Sequence, residues 1–372
     1  AMSPIPRRSA TIAVTGAAGF IGGWLVRLLL DRGHRVRACV RDPADLEKTA
    51  FLRAMPGFAS GRLTLHAADL DQPGCYDTIF RGCHGVAHLS HLATYDDQDR
   101  IRRTCAHIIA SIDASGSVTR VVVTSSIAAV ISEMDMQELV RRPVCNEDRW
   151  PDETNPKRSP ERGQGYSMGK VLAERLFAAA AARHGGWTSV ACCPGDNVGP
   201  ILSAHQQDMG PWQKLIAGML RGDCVQTPVY RPWVPVDVRD DAACHIGLLE
   251  SAAVKNGERY IAWSTETRRV EDINTDIGRL LPELGHVPGP VVDGQDERIR
   301  AREAEMRAIW DGCDLRNERI RALLGWTSGP GTRRCATAWS RCWPWPACSR
   351  SAGPPEAASG LRRAFHHRHG GG

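Results

Sequence analysis

The chain has 372 residues, 42% of them apolar and 24% charged, with a formal net charge of +5 at pH 7. That is the make-up of a globular protein with room for one large domain or two lobes, and the lack of any run of about 18 uncharged apolar residues excludes a membrane-spanning helix. Residues 327–372 hold seven Arg and one Glu, so the first 326 residues sum to −1 and offer no basic face to nucleic acid.

The opening AMSPIPRRSA lacks the apolar stretch of a secretory leader. The 13 cysteines are scattered without a CxxC pair, and Cys192 and Cys193 adjoin inside an apolar run. Reduced thiols in a cytoplasmic protein are expected, with no metal site and no disulfide framework.

In chain order, TIAVT (Thr11–Thr15), RVRACV (Arg35–Val40), RLTLH (Arg62–His66), GVAHLS (Gly85–Ser90), RVVVTS (Arg120–Ser125) and TSVACC (Thr188–Cys193) read as strands. Helix-length stretches such as Gly22–Arg32 and Val171–His184 separate most of them. Strand and helix alternating in this way predict an α/β protein: a Rossmann-type, doubly wound parallel sheet with a smaller C-terminal substrate lobe. The polar, proline-rich residues 133–165 read as a long loop. WVPVDVRDDAACHIGLLE (Trp233–Glu250) returns to strand then helix. The expected division is a cofactor-binding domain at 10–195, completed by about 233–252, and a substrate lobe at 196–232 and 253–326. The tail 327–372 has no hydrophobic periodicity, and disorder or an out-of-frame gene end is expected there.

VTGAAGFIGGWL spaces Gly16, Gly19 and Gly22 as G-x-x-G-x-x-G between a strand and a helix. A tight turn, a close backbone approach to pyrophosphate and a close helix–sheet contact each call for one glycine. The helix start, with Phe20 and Ile21, then offers open N–H groups to phosphate. After the second strand stands Arg41, where an acidic residue would hold a ribose 2′-hydroxyl. An arginine instead suits a 2′-phosphate, with Lys48 as a second cation, so NADP(H) is expected over NAD. Asp42 is the competing residue, able to turn toward the ribose. Asp69, followed by Leu70, is placed to accept from the adenine amino group.

GQGYSMGKVLAE sets Tyr166 and Lys170 four residues apart, on one face of a helix. A free phenol titrates at about pH 10, and a neighbouring ammonium favours its phenolate. The tyrosine then becomes a usable general acid. The fifth strand ends in Thr124, Ser125 and Ser126, bringing a hydroxyl to the ligand-binding edge. A phosphate cradle, a hydroxyl and an activated phenol are what hydride transfer to a carbonyl needs.

On these residues the chain resembles the extended short-chain dehydrogenase/reductases. It is similar to their branch of plant dihydroflavonol and cinnamoyl-CoA reductases and related aldehyde and ketone reductases. The resemblance runs from about Thr11 to Trp326 and rests on TGAAGFIGGWLVRLLLDRGHRVRACVRDP, VVVTSSIAAV, YSMGKVLAERL, CCPGDNVGP and WVPVDVRDDAACHI. It implies Ser126 as the catalytic serine, ahead of Ser125, with Tyr166 and Lys170. It implies Pro194 near the nicotinamide, Thr124 among the cofactor-binding residues and Arg41 on the 2′-phosphate. It implies a small carbonyl substrate and a monomer or homodimer, with no nucleic-acid or membrane partner.

Three positions depart from the family pattern. His107, or Ile108, stands where relatives carry a proton-relay Asn. His91 follows the fourth strand, where relatives have a small residue or proline. Ile131 replaces a polar residue five positions after the serine, which argues for a simple aldehyde or ketone over a flavonoid. Further pocket candidates are Tyr95, His205, Met209, Trp212 and Trp233. The competing readings are a nucleotide-sugar epimerase or dehydratase, a hydroxysteroid dehydrogenase, and a non-catalytic NADP(H) redox sensor.

Overall fold

The computed structural model describes residues 4–91, 97–132, 136–155, 165–221, 225–226, 234–265, 267, 269–280, 291–292 and 297–326; Tyr95, Trp233 and the tail 327–372 lie outside them. Seven strands, β1 (Thr11–Thr15), β2 (Arg35–Val40), β3 (Leu63–Ala67), β4 (Gly85–His88), β5 (Arg120–Thr124), β6 (Thr188–Pro194) and β7 (Arg259–Ala262), form one sheet. Their order is β3-β2-β1-β4-β5-β6-β7, and every pairing is parallel. The strand order reverses beside β1, and ligands of such sheets bind beyond the carboxyl ends at that point.

The sheet is buried on both faces, which is why RVVVT and TSVACC carry apolar residues in unbroken runs. On one face Ile12, Val14, Val122 and Val190 meet α1 (Phe20–Asp31) and, through Cys244, Ile246 and Leu248, the helix at Val238–Glu250. On the other, Ala13, Val121 and Val123 meet α2 (Gln98–Ser115) and α3 (Gly165–His184) through Ile101, Ile108, Ile112 and Phe177. The helix Val238–Glu250 is α4.

The six expected strands are present within one or two residues. β7 is a seventh, and it lies inside the 253–326 stretch that the sequence allots to the smaller lobe. The 133–165 stretch, read as loop, contains a helix at Met136–Arg141 and a short strand at Val144–Cys145. That strand pairs with Asp314–Leu315, and Asp196–Val198 pairs with Pro235–Asp237. Among the described residues no helix is long and apolar enough to cross a membrane, and the nine described cysteines are free thiols.

Candidate active site

The glycine turn joins β1 to α1. Gly16 has φ +68°, a left-handed conformation that costs a residue with a side chain. A Cβ on Gly22 would sit 2.2 Å from the Gly16 carbonyl oxygen, so only glycine lets α1 close onto the turn. That close contact explains why α1 carries Gly22, which costs about 1 kcal/mol against alanine in a helix. Gly19 caps the helix without a side chain, leaving the first N–H groups, on Phe20 and Ile21, open at the carboxyl edge of the sheet.

The turn is braced from the 196–232 segment, which sequence reading assigned to the substrate side. Gln206 is fully buried; its Nε2 donates to Ala18 O at 3.2 Å and Gly19 O at 3.1 Å. His205 Nε2 meets Ala18 O at 2.9 Å, and its Nδ1 meets Ser203 Oγ at 2.9 Å. His205, a pocket candidate from sequence, therefore supports the glycine turn. Met209 is exposed, and its Cε would lie 3.9 Å from a Cβ on Gly19, so it too sits over this turn. Trp212 is half-buried in the helix Pro211–Arg221.

Arg41 follows β2 directly and is exposed, with no hydrogen bond or ion pair to a described residue. Lys48 Nζ is 2.6 Å from Asp45 Oδ2, an exposed pair of small energetic weight. Asp42 Oδ1 accepts from Ala44 N at 2.8 Å, a local turn that occupies the carboxylate. Asp69 likewise closes its own turn, with Oδ1 accepting from Asp71 N at 3.0 Å.

At the other end of the cleft, one face of α3 is stitched to the end of β5. Ser167 Oγ donates to Ala128 O at 2.6 Å. Lys170 Nζ donates to Thr124 O at 3.0 Å. Ser125 Oγ donates to Glu174 Oε1. Residues 167, 170 and 174 share a helix face by their spacing. Tyr166 stands beside that face, 43% exposed, with the Lys170 ammonium 5.5 Å from its ring centroid. Lys170 itself is 6% exposed.

The two serines differ in what their hydroxyls do. Ser125 is 2% exposed and gives its proton to Glu174. Ser126 caps the short helical turn Ile127–Ala129, where its Oγ accepts from Ala128 N at 3.1 Å, and its proton has no acceptor among the described residues. Thr124 has both polar groups engaged: its carbonyl with Lys170, its Oγ1 with His245 Nε2 at 2.8 Å. It supports Lys170 from below.

His245 belongs to α4. Its Nδ1 faces Asp241 O at 2.9 Å and Asp241 Oδ1 at 3.2 Å, so this nitrogen carries a proton. Cys192 also approaches Asp241, and the three ligand-type atoms cluster. The proton on Nδ1 removes the lone pair a metal would take. Burial lowers the His245 pKa, but the Asp241 carboxylate outweighs it and the net direction is up.

Leu70, His88, His91, Thr124, Gly169 and Lys170 line a narrow cleft at the carboxyl ends of β3, β4 and β5. Four of them are residues that the sequence singled out. His107 Nδ1 meets the Leu70 carbonyl at 3.0 Å and so fixes one wall of the cleft. Ile108 is core. Ile131 is 5% exposed and packs among Ile127, Leu139, Trp310 and Leu315. It is core, not an open pocket wall, so the substrate argument built on it falls. Pro194 ends β6, buried, opposite Ala262. A larger depression of about 810 Å³ lies at the amino ends of the strands, between Arg7, Arg32, Glu250 and Leu324. It contains none of the residues singled out from sequence.

Thr15 and His88 escaped the sequence reading. Thr15 Oγ1 accepts from Leu89 N and Ser90 N, both at 3.1 Å, so its own proton goes to His88 Nδ1 at 2.9 Å. Burial, with help from the Lys170 and His91 charges, pushes the His88 pKa down to about 3. Between its ordinary value of 6.5 and about 3, the unfolded chain binds a proton that the folded chain refuses. Stability therefore falls with falling pH, by up to about 1.4 kcal/mol per unit from this group. His245 has the opposite sign: its contribution is present below pH 6.5 and lost as pH rises through its raised pKa. In urea titrations between about pH 7 and about pH 5, His88→Asn, which keeps an acceptor for Thr15, is expected to flatten the slope. An unchanged slope contradicts the assignment.

The profile of the NAD dependent epimerase/dehydratase family matches residues 12–262. The chain belongs to this family. Within it the chain is 34% identical to dihydroflavonol 4-reductase from Zea mays over 261 residues, covering 68% of this chain and 70% of that protein. It is 33% identical to cinnamoyl-CoA reductase 2 from Arabidopsis thaliana over 294 residues, covering 78% and 82%. Among solved structures, Gre2 from Candida albicans in complex with NADPH superposes with a TM-score of 0.68 at 20% identity, covering 86% of this chain and 94% of that one. The extended short-chain dehydrogenase/reductase fold expected from the sequence is the fold of this family member.

Proposed function

We propose that the protein is an NADPH-dependent oxidoreductase that reduces an aldehyde or ketone to an alcohol. One observation carries the reading: a buried ammonium, Lys170, stands 5.5 Å from the ring centroid of the exposed Tyr166, at the strand end where the Ser126 hydroxyl proton has no acceptor among the described residues. A carbonyl oxygen in that position receives a hydrogen bond from Ser126 and a proton from Tyr166. The Lys170 ammonium, 5.5 Å from the ring centroid, stands beside the group that gives the proton. Ser125 is a poor candidate for the same task, since its proton belongs to Glu174.

The residues fit NADPH. The glycine turn leaves no room for side chains at Gly22, and the start of α1 offers N–H groups to pyrophosphate. Arg41 makes no hydrogen bond or ion pair to a described residue and suits a 2′-phosphate, with Lys48 able to exchange Asp45 for it. When bound, NADPH supplies the hydride. The names of the curated relatives, both reductases, support reduction over sugar epimerisation. The intact Tyr166 and Lys170 pair speaks against a purely sensory role.

Arg41→Ala tests the cofactor half of the reading. Loss of charge-assisted bonds to a 2′-phosphate is expected to raise the KM for NADPH by about 10- to 100-fold and leave that for NADH within about twofold. Steady-state rates on a panel of aldehydes and ketones give both numbers. A wild-type preference for NADH, or no NADPH oxidation with any carbonyl, defeats the proposal.

A further inference from the structure

A buried ion pair lies outside the groups given a chemical role above. Glu174 is 5% exposed and Arg259, the first residue of β7, is 3% exposed. Arg259 Nε donates to Glu174 Oε2 at 2.7 Å, and Nη2 reaches Oε1 at 3.4 Å. Nη2 also donates to Ala129 O at 2.6 Å, the last residue of the turn that Ser126 caps. Nη1 donates to Arg149 O at 2.7 Å and Glu147 O at 3.3 Å. The ring of Trp150 covers the guanidinium, its centroid 3.8 Å from Cζ. One side chain thus ties β7, α3, the Ser126 turn and the 147–150 segment together. Glu174 completes the tie by accepting from Ser125.

Stability alone is a poor reason for this arrangement. Taking two charges out of water costs about as much as their attraction returns, and apolar residues of similar volume often do as well. What the pair supplies is direction. A guanidinium is a rigid planar fork, and its two-toothed contact fixes angle as well as distance. Of the three α3 side chains that meet the end of β5, Glu174 alone makes a charged, two-toothed contact. It lies two turns beyond Tyr166, about 12 Å along the axis, and acts without touching a reactant.

We propose that Glu174 and Arg259 are positioning residues that set the seat of α3 against the Ser126 turn, and with it the spacing of Ser126, Tyr166 and Lys170. The inference rests on the reductase reading above. Small errors of placement at a reacting centre are costly, with about 10²-fold in rate lost for a 1 Å displacement.

Arg259→Lys, Glu174→Gln and the double variant Glu174→Met/Arg259→Met form the test. The single variants remove the fork or the charge. The double variant fills the same space without leaving a lone buried charge, and its Tm is expected to stay within about 5 °C of wild type. All three are expected to bind NADPH and carbonyl substrate within about threefold of wild type, with kcat lowered about 10- to 100-fold. The primary isotope effect with 4-deuterated NADPH should rise in each, because hydride transfer becomes slower than product release. A merely structural role would lower folded protein and leave the isotope effect of the active fraction unchanged. Wild-type kcat and isotope effect in the folded double variant overturn the inference. If Tyr166→Phe keeps wild-type activity, the reductase reading fails first; if Tyr166→Phe is inactive and the pair variants are fully active, only this inference falls.

Discussion

Tyr166→Phe is expected to lower kcat by about 10³-fold and leave the NADPH dissociation constant within about twofold. The substitution removes one oxygen from a side chain that is already 43% exposed, so packing changes little. Lys170 keeps its bond to the Thr124 carbonyl, and Ser167 keeps α3 on Ala128. On the proposed reading, what is lost is the proton that the carbonyl oxygen must gain. Fluorescence titration gives the binding constant and stopped-flow absorbance the rate. A kcat within tenfold of wild type would mean that another group supplies the proton, and would remove Tyr166 from the mechanism.

Gly22→Ala should act at the opposite end and in the opposite way. The added Cβ would lie 2.2 Å from Gly16 O and 2.9 Å from Gly16 C, both backbone atoms that cannot swing aside. Either α1 lifts from the sheet or the Gly16–Ala17 turn moves by more than an ångström, and both displace the phosphate cradle. We expect NADPH affinity to fall by at least about 100-fold, with the far-ultraviolet circular dichroism of the folded chain retained. Calorimetric titration of the variant reads the loss. Affinity within about threefold of wild type would show that phosphate is held elsewhere.

The parts of this protein legible from sequence are those whose partners are near in the chain. The glycine spacing, the strand before it and the helix after it sit within about 20 residues. Tyr166 and Lys170 are one helical turn apart. The central strands are legible because burial on both faces gives them apolar runs such as the VVV of RVVVT and the VACC of TSVACC. β7 is harder: RYIA is four residues long, opens on an arginine and closes the sheet at its edge. The helix Met136–Arg141 is only six residues long, with charged residues on it, and gives no periodicity to read.

The supporting network was illegible for a different reason. Glu174 and Arg259 are 85 positions apart, and Thr15 and His88 are 73 apart. Nothing local marks such partners. Glu174 does stand one turn beyond Lys170, on the same helix face, and that spacing was a readable hint. The serine ambiguity is of the same kind: two adjacent hydroxyls look alike in sequence, and only the distant Glu174 tells them apart. Ile131 stands five residues past the serine, where sequence alone suggests a substrate-facing side chain, but it packs against Trp310 and Leu315, which are about 180 positions away.

The most direct test of the reductase reading follows one atom. The protein is incubated with 4-deuterated NADPH and the best carbonyl from an aldehyde and ketone panel, and the product alcohol is examined by mass spectrometry and proton magnetic resonance. Deuterium on the carbinol carbon, formed by wild type and nearly abolished in Tyr166→Phe, is the predicted result. Alcohol without deuterium, or a bound dinucleotide that turns over no carbonyl at all, would contradict it.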